Sequence, residues 1–281
     1  SIGGFGNYSY TSSTAYNHIG TMSEVAIYNR ALSSAEVTSN FNVAVASNIP
    51  NFANNCFLMQ PINNTHPKDL AVAFHGAGFD GNSLIGLGYN YQLISYGILT
   101  NGRSYLCINS PAEGWGNPQD VATCSNALQW AISTYGYTNI CLLGLSMGAL
   151  DAAQLVSLTN NFSIPYLYSY DGVFSLSNMY NNPGSGENFS SQIGEAWGVG
   201  SSAALQAAVA GFDPLTIPTN NFGNCTIRVV GSLSDTYVPF LTGGGGAFTN
   251  YVPWATARIS SGNHIDVSNF VLSDLLNWWL P

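Results

Sequence analysis

From about residue 52 onward, short apolar runs alternate with segments of helical periodicity. Residues 70–74, 105–109, 140–145, 166–170, 226–230 and 256–260 read as strands. The near-continuous apolar character of 70–74, 105–109 and 140–145 is that of strands buried on both faces of a sheet. Between them, residues 119–135 place Val121, Cys124, Leu128 and Ile132 on one face of a helix, and 268–280 read as a closing helix. Strand–helix alternation predicts an α/β fold, a doubly wound and mostly parallel sheet with helices on both sides. Residues 175–222 interrupt the alternation with a long insertion. It contains a Gly/Ser-rich stretch at 182–187 and a helix across 203–210, and it is read as a lid. Gly243 to Gly246 read as a flexible loop.

Residues 1–48 have a different texture. Residues 9–17 are polar and rich in Tyr, Ser and Thr, residues 22–28 alternate like a half-buried strand, and Ser33 with Glu36 forms a capping box that opens a short helix. Residues 49–54, which include Ile49 and Pro50, read as a linker to the strand–helix domain over 55–281.

Composition narrows the function classes. Only 7% of the 281 residues are charged, against roughly 25% in ordinary soluble domains, and the net charge is −9. A chain with five cationic residues has no basic face for nucleic acid or for anionic lipid. No apolar run approaches the roughly 20 residues of a membrane span. A surface dominated by hydroxyl and amide groups suits an extracellular, cell-surface or virion protein, with a place in a larger surface assembly. The five cysteines form no CxxC pair, which argues against a zinc site. Cys107 and Cys141 lie inside strand-like runs and read as buried thiols, leaving at most a disulfide involving Cys56 or Cys225.

The chemistry is concentrated at one point. The apolar strand that ends at Leu143 runs into Gly144-Leu145-Ser146-Met147-Gly148, and a helix follows at once. A serine on so sharp a strand-to-helix turn has its hydroxyl pushed above the sheet, and a side chain at Gly144 or Gly148 would collide across the turn. Serine needs a base, and the base needs an orienting acid. Asp235 follows one downstream strand and His264 follows the next, which makes them the candidate acid and base. Asp171, just after strand 166–170, and Asp266 are rival acids. Upstream, His75-Gly76-Ala77-Gly78 follows the strand at 70–74. Its glycines let backbone N–H groups of Ala77 or Gly78 join that of Met147 around a developing oxyanion. Trp115 and Tyr237 are candidates to line the substrate cleft.

At these four places the chain resembles the α/β-hydrolase superfamily, in its esterase and prolyl-oligopeptidase-like branch. The resemblance rests on the elbow around Ser146, the loop with Gly76, the S-D-x-x-V-P segment of Asp235, and Asn263-His264. It implies the catalytic order Ser146, Asp235, His264. A second resemblance covers Gly20, Glu24, Val25, Ile27, Tyr28, Asn29, Arg30, Ala31, Leu32, Ser33, Glu36 and Val37, with Ser23 where aspartate is usual. It is to the C-terminal end of a LamG-like, concanavalin-type jelly roll.

The expected function is a serine hydrolase that cleaves carboxylic esters through an acyl-enzyme, on a small molecule or a glycan, without a metal or organic cofactor. Two alternatives remain open: a serine peptidase, and a non-catalytic adhesion or display module that kept the fold.

Overall fold

The computed structural model describes residues 44–48, 56–61, 63–81, 89–110, 113–158, 163–181 and 189–279. The LamG-like resemblance at 20–37 and the linker at 49–54 lie outside them. Eight strands form one sheet: β1 (Ala44–Asn48), β2 (Phe57–Pro61), β3 (Asp69–Phe74), β4 (Ser104–Ile108), β5 (Asn139–Leu145), β6 (Tyr166–Tyr170), β7 (Thr226–Ser232) and β8 (Thr256–Ser260). Their spatial order is β1-β2-β4-β3-β5-β6-β7-β8. The first two strands are antiparallel to their neighbours, and β3 through β8 run parallel. This is the mostly parallel sheet expected from the pattern, in the arrangement that the α/β-hydrolase resemblance implied. Five residues assigned to the N-terminal segment by sequence, Ala44–Asn48, pair with Phe57–Pro61 in this same sheet.

The helices among the described residues are α1 (Tyr89–Thr100), α2 (Pro118–Tyr135), α3 (Gly148–Leu158), α4 (Leu176–Asn181), α5 (Phe189–Trp197), α6 (Ser202–Ala208), α7 (Gly245–Tyr251) and α8 (Leu272–Trp279). Local chemistry sets the bounds of α2. The Asn117 side chain accepts from the N–H groups of Gln119 and Asp120, Pro118 occupies the first turn, and Gly136 closes the helix at φ 69°.

The two-residue period of the strands sorts their side chains into two cores. Leu70, Val72 and Phe74 face one layer, together with Val121, Cys124 and Leu128 of α2 and Ala149, Ala152 and Ala153 of α3. Ala71, Ala73, Cys141, Leu143 and Tyr168 face the other, with Ile94 and Ile98 of α1 and Leu275 and Trp279 of α8. Ile132 is partly buried against the first layer. All five cysteines are buried and free, so the disulfide considered from sequence is not formed, and burial raises every one of these thiols.

A third apolar cluster caps the sheet. Trp115, Met147 and Leu150 pack there with Leu176 and Met179 of α4, Phe189 and Ile193 of α5, and Leu205 of α6. The described residues of the insertion expected at 175–222 therefore form short helices seated over the start of α3. One expectation is corrected: Gly245 and Gly246 are buried in the start of α7 rather than in a loose loop. A Cβ at Gly245 would lie 2.9 Å from the Val229 side chain, and one at Gly246 would lie 2.7 Å from Phe240. These glycines exist for close packing. Among the described residues, no helix is long and apolar enough to cross a membrane.

Candidate active site

The parallel register brings Phe74 beside Gly144, Leu145 beside Tyr170, Tyr170 beside Val230, and Ser232 beside Ser260. The C-terminal ends of β3 to β8 thus open onto one rim, the usual place for ligands in such a sheet. The described non-glycine residues with left-handed φ are Trp115 (47°), Ser146 (50°), Asp171 (46°) and Ile265 (56°). They follow β4, β5, β6 and β8 respectively, so the non-glycine backbone strain of the described residues is gathered at this rim. Such strain persists only where the surroundings enforce it.

At Ser146 the enforcement is visible. Its N–H donates to the Tyr170 carbonyl (3.0 Å), and its own carbonyl accepts from Ala149 (3.1 Å) and Val173 (2.9 Å). A Cβ at Gly144 would stand 2.6 Å from the Ala149 backbone, and one at Gly148 would stand 2.5 Å from the Phe74 carbonyl oxygen. Both contacts are with backbone and cannot be relieved by a rotamer change, so both elbow glycines are sterically required.

The three distant candidates meet. His264 Nδ1 lies 2.7 Å from Asp235 Oδ2, and His264 Nε2 lies 2.9 Å from Ser146 Oγ. A carboxylate only accepts, so Nδ1 carries the proton and Nε2 is left to accept from the serine hydroxyl. Asp235 is held in turn: its Oδ1 accepts from the N–H groups of Tyr237 (2.8 Å) and Val238 (2.9 Å). Asn263 braces the base, since its Oδ1 accepts from His264 N–H (2.8 Å) and from Thr236 N–H (3.1 Å). Ser146 is 8% exposed, so the hydroxyl sits in a largely desolvated setting.

The oxyanion-loop candidates fall beside it. A Cβ on Gly76 would come within 3.2 Å of the Ser146 Cβ. Phe79 N–H closes a turn onto Gly76 O (3.2 Å), and Gly78 makes that turn with φ 75°. Met147 directly precedes α3, whose N-terminal end suits developing negative charge. Tyr237 lies against the His264 ring, centroids 5.6 Å apart. Trp115 is sealed from solvent at 1% exposure. It packs edge-on to Phe189 and accepts a hydrogen bond from Trp197 Nε1 on its carbonyl.

The rival acids take other positions. Asp266 caps the 3-10 turn Val267–Asn269 through Ser268 N–H. Asp171 receives Ile265 N–H (2.9 Å) and Asn269 Nδ2 (2.7 Å) on one oxygen. It therefore holds the chain next to His264, while Asp235 holds the imidazole itself. Burial raises the Asp171 carboxyl to about 6.

A second polar group escaped the sequence reading. Asp151 sits within the buried stretch of α3, with a carboxyl oxygen within 4.8 Å of one from Asp120 of α2. Burial raises both, Asp120 to about 6 and Asp151 well above the carboxyl range. The network continues through Ser110 to His75, whose Nε2 lies 3.1 Å from both the Oγ and the carbonyl oxygen of Ser110. It underlies the loop that carries Gly76 to Gly78. A lone aspartate inside an otherwise apolar helix was the available signal. Asp120 was hidden because acidic residues in a first turn are common for dipole reasons.

Two clusters of described residues gather three metal-type ligands within 4.8 Å: Asp120, Cys124 and Asp151, and Asp171, Asp235 and His264. In the second, both imidazole nitrogens are already engaged by Asp235 and Ser146.

No protein-family model matches the sequence, and no curated protein matches it. Solved structures do. The chain is similar to a truncated carbohydrate esterase from gut microbiota (TM-score 0.64, 13% identity, covering 85% of this chain and 96% of that one). It is similar to carboxyl esterase 2 from the mycorrhizal fungus Tuber melanosporum (TM-score 0.59, 16% identity, 88% and 84%). It is also similar to an acylaminoacyl peptidase of Pyrococcus horikoshii (TM-score 0.62, 12% identity, 84% of this chain). The chain spans 40% of that peptidase and 33% of a bifunctional GH43-CE protein of Bacteroides eggerthii that it also resembles. At these identities the likeness establishes the fold: the chain has the α/β-hydrolase fold.

Proposed function

We propose that the chain is a serine hydrolase of carboxylic esters. The observation that carries this reading is the unbroken line of hydrogen bonds from Asp235 through His264 to Ser146. Ser146 Oγ adds to the ester carbonyl carbon as its proton passes to His264 Nε2, and the carbonyl π pair moves onto oxygen. Backbone N–H groups of Met147 and of Ala77 or Gly78 receive that oxyanion. Collapse breaks the bond to the alcohol oxygen, which takes the proton from Nε2. Water then repeats the sequence on the acyl-enzyme and frees the acid. Asp235 keeps the imidazole in the tautomer that accepts at Nε2 and stabilises the imidazolium.

The similarity to a carbohydrate esterase and the low-charge, hydroxyl-rich composition favour a glycan-borne ester as substrate. The test is labelling by a fluorophosphonate together with turnover of p-nitrophenyl acetate and acetylated polysaccharide. Wild type labels and turns over, and Ser146→Ala does neither. Equal labelling of the two proteins rejects the assignment of the nucleophile. An inert wild type favours the adhesion or display reading, and cleavage of acyl-peptide anilides in preference to esters favours the peptidase reading.

A further inference from the structure

Two carboxyl groups approach His264. One oxygen of Asp171, one of Asp235 and a ring nitrogen of His264 all lie within 4.8 Å of one another. Asp235 takes the imidazole N–H, whereas Asp171 works on the backbone beside it. Ile265 follows His264 and carries φ 56°, a conformation that a β-branched residue avoids. Its N–H is held by Asp171 Oδ2 at 2.9 Å. The same oxygen receives Asn269 Nδ2, and that amide also donates to the Asn263 carbonyl (2.9 Å), one residue before His264. Asp171 is itself held in a strained conformation at φ 46°, with its N–H on the Val230 carbonyl (2.8 Å). Its other oxygen, Oδ1, is buried without a hydrogen-bond partner. A carboxyl satisfied on one oxygen only is an expensive thing to bury.

We propose that Asp171 is a positioning residue for the catalytic base: its carboxylate clamps both flanks of His264 and adds a second negative charge beside the imidazolium formed when Ser146 reacts. The proposal rests on the serine-hydrolase reading of the site. The titratable groups that face Asp171 are His264 and Asp235, while the 3-10 turn contributes the neutral Asn269 amide. His264 favours the charged carboxyl and Asp235 opposes it. With its carboxyl raised to about 6 by burial, Asp171 gains a proton in the range where a hydrolase of this kind begins to lose activity. Protonation of Asp171 then removes that second negative charge and lowers activity toward the level that an uncharged side chain at this position supports.

The test compares wild type with Asp171→Asn and Asn269→Ala. Asparagine tolerates left-handed φ and keeps an oxygen for Ile265 N–H, so Asp171→Asn is expected to fold. It should lower kcat roughly 10-fold with KM unchanged, less than the roughly 10²-fold that a full 1 Å misplacement can cost, because asparagine keeps the Ile265 contact. On the acid side, kcat/KM of wild type should show an additional inflection of up to about tenfold in the range of the raised Asp171 carboxyl. In Asp171→Asn that additional inflection should be absent. Asn269→Ala removes a hydrogen bond that favours the ionised carboxyl, so its acid limb should move to higher pH. As a readout independent of turnover, the His264 imidazole NMR signals are followed against pH in Ser146→Ala protein. They should shift in two steps when Asp171 is present and in one step once Asp171→Asn is added. An unchanged acid limb and unchanged His264 titration in Asp171→Asn, with only Tm lowered, would overturn the proposal and leave a merely structural carboxyl. A wild type that neither labels nor hydrolyses esters defeats the hydrolase reading instead, and the imidazole titration still decides whether Asp171 is coupled to His264.

Discussion

Two groups of carboxyls in this molecule, one at the rim of the sheet and one between α2 and α3, stand in opposite circumstances. At the rim, Asp235 collects three donors: the His264 ring and the N–H groups of Tyr237 and Val238. Between α2 and α3, Asp151 finds no donor at all, and burial beside Asp120 pushes its carboxyl toward the neutral form. The first is equipped to stabilise positive charge on a neighbour. The second is a carboxyl for which charge is costly. The side chain is the same in both places, and what differs is the number of N–H groups aimed at it. Loops at strand ends have spare N–H groups, whereas helix interiors have spent theirs on the i−4 carbonyl.

The largest effects should come from breaking the rim. His264→Ala removes the base and should lower kcat by about 10⁶. Asp235→Asn should cost about 10⁴, because the amide no longer holds the reactive tautomer. Single-turnover acylation with p-nitrophenyl acetate measures both. A loss smaller than about a hundredfold in His264→Ala, the low end for a general base, would mean that another group deprotonates Ser146.

Next comes the geometry on which both groups depend. Gly148→Ala forces a Cβ to 2.5 Å from the Phe74 carbonyl oxygen. It should destabilise the fold by about 3 kcal/mol and abolish labelling of Ser146, as read by urea unfolding and probe incorporation. Retained labelling would show that the elbow can relax.

The buried pair sharpens the contrast through pH. The folded-state carboxyl of Asp120 is raised from 3.8 to about 6, and that of Asp151 is raised further. A raised carboxyl stabilises the fold at low pH and loses that contribution as pH rises through its folded value. Stability should therefore fall between about pH 5 and about pH 8 by about 1.4 kcal/mol from Asp120 alone. Asp151→Asn keeps a donor for Asp120 without a titrating proton, so it should flatten the dependence. Urea midpoints at the two pH values test this. Equal slopes for wild type and Asp151→Asn would show that no proton is shared.

The smallest effect belongs to the aromatic neighbour. Tyr237→Ala removes the ring that lies against His264. It should lower kcat/KM by about 2- to 10-fold, the worth of a typical aromatic contact. A larger drop would place Tyr237 within the chemistry itself.

Much of this was legible from residues in order. Parallel strands buried on both faces leave long apolar runs, so β3, β5 and β6 emerged within a residue of their observed bounds. The elbow was legible because a turn this tight demands glycine at fixed spacing around Ser146. Asn269 was not legible as a brace, since an asparagine in a polar loop has many innocent uses. The Asp120–Asp151 contact joins two helices whose facing is set only once both pack on the sheet. Nor could composition place Trp115, because the loop after β4 can present its indole to a cleft or to the core, and the helices of the insertion decided for the core.

Local sequence by itself determined the periodicity, the elbow and the order of Ser146, Asp235 and His264, because these depend on sterics between near neighbours and on which side chains can exchange a proton. Only the tertiary structure decided which of two aspartates touches the imidazole and which steadies its loop. Hydrogen bonds are made or missed over tenths of an ångström, and that precision comes from the register of β6, β7 and β8, which no single segment encodes.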